Sequence, residues 1–133
     1  MISKIRYAGS LRTEAIHLNS KNRIITDAPL DNNGKGQAFS PTDLVATSLG
    51  ACMLTIMGIV AERHQIKIEG TNVEVDKIMS QNPRRIGEVS IIINFVKKFN
   101  KNDRKILETA ARTCPVSASL HPDIIENIKF VYP

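Results

Sequence analysis

The chain has 133 residues, 42% apolar and 23% charged, which suits one domain able to bury a core and excludes both a disordered chain and a second substrate or cofactor domain. Eighteen Lys and Arg against thirteen Asp and Glu leave a net charge of +5, yet aromatic residues are only 5%, Trp is absent and no recognition motif accompanies the charge, which argues against a nucleic-acid partner. Two cysteines are too few for a disulfide framework or a four-thiolate zinc site, and Met1 is followed by Ile-Ser-Lys-Ile-Arg-Tyr without the apolar region of a secretory signal, so reduced thiols in the cytoplasm are expected.

The first 26 residues read as a meander of short strands, with turns at Gly9-Ser10 and Asn19–Asn22, and Asp27–Gly36 concentrates turn formers into a loop. Ser40-Pro41-Thr42-Asp43 then sets a capping hydroxyl, a proline at the first helical position and a carboxylate at the third, the signature of a helix start. From Leu44 to Ala61 no residue is charged. That run is long enough to span a membrane, but it contains Thr47, Ser48, Gly50, Thr55 and Gly58 and is flanked by strand patterns, so a helix buried on all sides is expected instead. A domain this small can hardly enclose such a helix with its own elements, which implies a homodimer with a shared core.

Beyond Arg63 the pattern alternates. Ile66, Ile68, Val73 and Val75, and then Val89–Val96 after Asn82-Pro83, predict two long antiparallel strands. A second helix is predicted from about Asn100, carrying Ile106, Leu107, Ala110, Ala111 and Cys114 on one face until Pro115 breaks it. Cys114 is then expected to cap a short new turn, and Ile124–Val131 reads as a last strand. The outline is α+β within a single domain over residues 1–133.

Cys52 stands in the middle of the apolar helix, where burial disfavours a thiolate and the helix dipole no longer helps. Two small core hydrophobes are therefore one reading of Cys52 and Cys114. A reactive Cys52 requires a neighbouring cation, and arginine suits best because it stays charged and its fork can hold both a thiolate and a peroxide oxygen.

Ser40-Pro41-Thr42-Asp43-Leu44, Leu49-Gly50-Ala51-Cys52-Met53 and Cys114-Pro115-Val116-Ser117 together resemble the OsmC/Ohr family of osmotically induced and organic-hydroperoxide-resistance proteins, in a divergent OsmC-like branch. The resemblance implies an intertwined homodimer in which antiparallel sheets wrap long central helices. It also implies a cysteine peroxidase: Cys52 attacks an organic hydroperoxide and becomes a sulfenic acid, and Cys114 condenses with it to a disulfide. An external dithiol, a dihydrolipoyl group on a donor protein in one branch, restores both thiols, with no bound cofactor and no metal. Arg12 falls where the family places the arginine that stabilises the thiolate. The family glutamate that orients this arginine, ten residues before the cysteine, is replaced by Thr42, which leaves Asp43 and Glu14 as candidate substitutes. That replacement keeps a rival reading open, a non-catalytic protein holding a small apolar ligand on the same fold. His17, His64 and His121 lack ligand spacing, and Gly34-Lys35-Gly36 lacks the spacing of a phosphate cradle.

Overall fold

The computed structural model describes residues 1–133, which fall into two compact units, Met1–Val45 and Ala46–Pro133. In the first, β1 (Ser3–Gly9), β2 (Arg12–His17) and β3 (Arg23–Asp27) form an antiparallel meander in that order. Ser10 and Leu11 join β1 to β2 with φ of 54° and 61°, the mirror-image turn whose twist matches that of the strands it connects. Between β2 and β3 the His17 N–H donates to the Asn22 carbonyl at 2.8 Å, closing a four-residue turn over 18–21.

Helix α1 (Pro41–Arg63) starts where the sequence places it. Ser40 Oγ accepts from the Asp43 N–H at 3.0 Å and Asp43 Oδ2 accepts from the Ser40 N–H at 2.8 Å, so two otherwise orphaned donors are satisfied reciprocally. The helix ends in a Schellman motif: Gln65 has φ 57°, the Ile66 N–H reaches the Ala61 carbonyl, and the Gln65 N–H reaches the Glu62 carbonyl. Ile66 is buried because it closes this motif, and Ile66 and Ile68 both precede the strand that their alternation suggested.

In the second unit, β4 (Asn72–Ser80) pairs antiparallel with β5 (Arg85–Asn94), and β6 (Ile125–Val131) pairs with β5 in parallel. The α+β class holds, but this sheet is mixed where antiparallel sheets were expected. The reason lies in the connection: α2 (Lys101–Ala111) and α3 (Pro115–Ser119) carry the chain back before β6 begins, and only a long crossover permits a parallel neighbour.

Ala46, Leu49, Gly50, Met53, Met57 and Ala61 form a stripe along α1 at three- and four-residue spacing, and all are buried. They share one core with Val89, Ile91 and Ile93 of β5 and with Leu107, Ala110 and Ala111 of α2. The helix is long and apolar enough to cross a membrane, yet this stripe is committed to the protein's own sheet. On the opposite face Ala51, Thr55 and Ile59 are exposed.

Helix and sheet pack closely at Gly50, where an added Cβ would come within 2.9 Å of Val75 Cγ2 and 3.2 Å of Val73 Cγ1. Valine side chains are stiff and cannot step aside. Gly50→Val should therefore lower the unfolding free energy by about 1–3 kcal/mol through overpacking, measurable as a reduced urea midpoint at unchanged m.

Candidate active site

Cys52 lies at the margin of the buried stripe on α1, half-buried, while Cys114 is 1% exposed; both are free thiols. Cys114 does cap α3. Its backbone is extended (φ −72°, ψ 143°), and its Sγ accepts from the Ser117 N–H at 3.3 Å, with Pro115 at the first helical position. Cys52 packs against the core cluster that contains Cys114 and acts on its thiol, so two sulfurs sixty-two residues apart in the chain are neighbours within one unit. Burial pushes the Cys114 thiol up, opposed by the Ser117 N–H and reinforced by Cys52 and by the charge of Glu126. Cys114 is thus held as a thiol.

Arg12 sits in the first unit, opposite Asp27 in the β2–β3 register. Its Nε donates to Asp27 Oδ1 at 2.7 Å and its Nη2 to Asp27 Oδ2 at 2.9 Å, a bidentate pair, and Nη2 also reaches Gln37 Oε1 at 3.3 Å. The Gln37 N–H donates to Asp27 Oδ2 at 3.1 Å. Asp27 is 1% exposed and Arg12 one-third exposed, so the carboxylate anchors the fork from inside while the guanidinium keeps an open edge. The Arg12 hydrogen bond is the main cause holding the Asp27 carboxyl below the usual range; desolvation opposes it, and the charge of Arg12, the Gln37 N–H and Lys35 assist it.

Thr42, Asp43 and Glu14, the residues considered for orienting Arg12, have other partners. Glu14 pairs with Arg6 at 2.7 Å in an exposed ion pair and acts on Arg12 only weakly, through its charge. Asp43 closes the α1 capping box, and Thr42 Oγ1 meets Ser40 Oγ at 3.2 Å. Asp27 takes the part, and the sequence reading missed it. Glu126, whose Oε1 and Oε2 accept from Ser117 Oγ at 2.7 and 2.8 Å, was missed as well. No group of three His, Cys, Asp or Glu side chains is placed to hold a metal ion.

A buried thiol beside a second thiol on an apolar helix, in this order of elements, defines an OsmC-type domain, and residues 34–128 match the family described as OsmC-like protein. The chain belongs to that family. It is 55% identical to a protein of Psychrobacter arcticus 273-4 named for osmotic stress induction and detoxification response, over 98% of this chain and 95% of that one, with a TM-score of 0.95. The organic hydroperoxide resistance protein OsmC of Legionella pneumophila superposes with a TM-score of 0.77 at 16% identity, covering 98% and 97% of the two chains. The OsmC-like protein of Mycoplasma pneumoniae superposes with a TM-score of 0.81 at 17% identity, covering 98% and 94%. These last two share the fold. No protein of curated function matches the chain.

The Asp27 pairing carries a pH signature. A carboxyl whose folded pKa is depressed stabilises the fold above its unfolded value, about 3.9, and loses that contribution as pH falls through the folded value. Asp27→Asn, which cannot ionise, should be less stable than the native chain by a constant amount above about pH 5, with the gap closing below about pH 4. Urea midpoints of the two proteins across that range test this.

Proposed function

We propose that the chain is a thiol-dependent peroxidase of oxidative-stress defence that reduces organic hydroperoxides, of fatty-acid type, through Cys52 and Cys114. The observation that carries this reading is the juxtaposition of the two thiols, one half-buried on a long helix and the other buried and protonated. Membership of the OsmC-like family and the stress and detoxification name of the 55% identical relative support it.

In the proposed cycle the Cys52 thiolate attacks the O–O bond; the sulfur takes the distal oxygen as a sulfenic acid and the alcohol leaves with a proton. Sulfur is oxidised and peroxide reduced, two electrons each. The Cys114 thiol then condenses with the sulfenic acid, forming a disulfide and water, and an external dithiol on a donor protein returns both thiols by exchange. Such a cycle runs in a reducing compartment such as the cytoplasm and needs no bound cofactor or metal. Arg12 is the cation proposed for the Cys52 thiolate, its fork held by Asp27 and Gln37.

The working form is proposed to be a homodimer of identical chains. On the first sheet Ile5, Tyr7 and Ile24 are 69%, 64% and 51% exposed, and Ile5 and Ile24 line a groove of about 490 Å³ together with Leu44. A three-stranded sheet with a bare apolar face is unstable in water, and a second copy of an equally uncovered chain is the occupant this family membership favours. Sedimentation equilibrium should return twice 14.7 kDa; a monomer at micromolar concentration would remove the dimer from the proposal.

Peroxide consumption with a dithiol donor tests the chemistry. Cys52→Ser should abolish turnover, Cys114→Ser should stop after one cycle with sulfenic acid on position 52, and Arg12→Ala should move Cys52 alkylation to higher pH. Activity untouched by Cys52→Ser overturns the reading, and an apolar molecule retained by a protein that consumes no hydroperoxide would replace it with ligand binding.

A further inference from the structure

Strand β6 alternates. Ile128 and Phe130 face the half-buried side, in register with Ile91 and Ile93 of β5, while Ile125, Asn127 and Lys129 are exposed. Glu126 stands on the same half-buried side, in register with the fully buried Val89. A carboxylate thus occupies a place where the strand's own pattern calls for an apolar side chain, an inconsistency that marks a functional position more often than an accident.

Withdrawing a carboxylate from water costs free energy unless it is hydrogen-bonded. Here the partner is the Ser117 hydroxyl, which donates to both oxygens at 2.7 and 2.8 Å, and a hydroxyl leaves the negative charge unneutralised. The same Ser117 donates its N–H to Cys114 Sγ at 3.3 Å, so one residue touches both the carboxylate and the buried sulfur. The titratable groups acting on Cys114 are Cys52 from α1 and Glu126 from β6. Burial is the main reason Cys114 keeps its proton, and the Glu126 charge adds to it in the same direction. Of two neighbouring thiols, the one that keeps its proton is the poorer nucleophile.

We propose that Glu126, anchored by Ser117, is a positioning residue that keeps the proton on Cys114. In the peroxidase reading, on which this consequence rests, peroxide then meets the helix cysteine first. The proton stays on Cys114 until the sulfenic acid forms; the S–S bond then replaces the S–OH bond, and that proton leaves with the hydroxyl as water. Sulfenic sulfur is reduced and thiol sulfur oxidised by equal amounts, so the step needs no further oxidant.

The test is a site-resolved titration of the reduced full chain by the cysteine 13Cβ chemical shifts, without peroxide. Glu126→Gln keeps an acceptor for Ser117 but removes the charge. It should lower the Cys114 titration, changing the ratio of Cys52 to Cys114 alkylation at neutral pH by roughly threefold, with Glu126→Asp restoring the native order. Ser117→Ala, which frees the carboxylate, should move the Cys114 titration in the same sense and serves if Glu126→Gln folds poorly. An unchanged Cys114 titration in a folded Glu126→Gln protein overturns the inference even if hydroperoxide is consumed. A lowered one sustains it even if none is consumed, in which case only the peroxidase reading falls.

Discussion

Bringing two sulfurs from distant parts of the chain near one another requires that the elements bearing them be fixed to a common support, and the packing of α1 on the β4–β5–β6 sheet is that support. At Gly50, two residues before Cys52, helix and strand leave no room for a side chain, and the buried stripe from Ala46 to Ala61 settles which way round the helix lies. Cys52 consequently falls at the margin of the contact, neither sealed in nor free. Cys114 arrives by another route: α2 ends at Ala111, short of the helix course that was expected to include Cys114, and Cys114 stands beyond it as the extended residue before Pro115, its sulfur in the place of a capping oxygen. The thiol is thus tied down by ordinary helix chemistry before any redox chemistry is asked of it.

The electrostatics are divided between carboxylates with separate tasks. Asp43 serves the helix start, Asp27 serves the guanidinium of Arg12, and Glu126 stands toward the buried thiol. Each is identified by its partner rather than its proximity in sequence. A carboxylate that shared two of these tasks would couple the stability of α1 to the state of the site.

Much of this architecture was legible because it rests on local chemistry. The capping box at Ser40–Asp43, the short helix opened by Cys114 and Pro115 and the alternation of β5 each need only a few adjacent residues, and each was readable. What escaped depends on register or on connections. Asp27 was hidden because strand pairing counts outward from the turn: the observed turn over 18–21 places Arg12 opposite Asp27, whereas a turn read one residue later, over 19–22, would have set it opposite Pro29. The Schellman end of α1 was hidden because Gln65, not glycine, takes the left-handed conformation, and the parallel β6 because strand direction is decided by a crossover and not by the strand itself. Glu126 was visible as a letter, but its meaning required knowing which face of β6 is covered.

The carboxylate that holds Arg12 follows from the same register. A carboxylate on the first turn of a helix reaches an arginine on a strand only if helix and strand keep their relative placement. Asp27 lies directly across from Arg12 on the neighbouring strand, within the same antiparallel pair, and is further fixed by the Gln37 N–H and by its own N–H to the Phe39 carbonyl at 3.1 Å. The arginine and its orienting carboxylate thus belong to one hairpin and are fixed by one set of ladder hydrogen bonds. Thr42 for its part contacts Ser40 through its hydroxyl at the helix start, so the side chain at that position serves the cap and not the guanidinium.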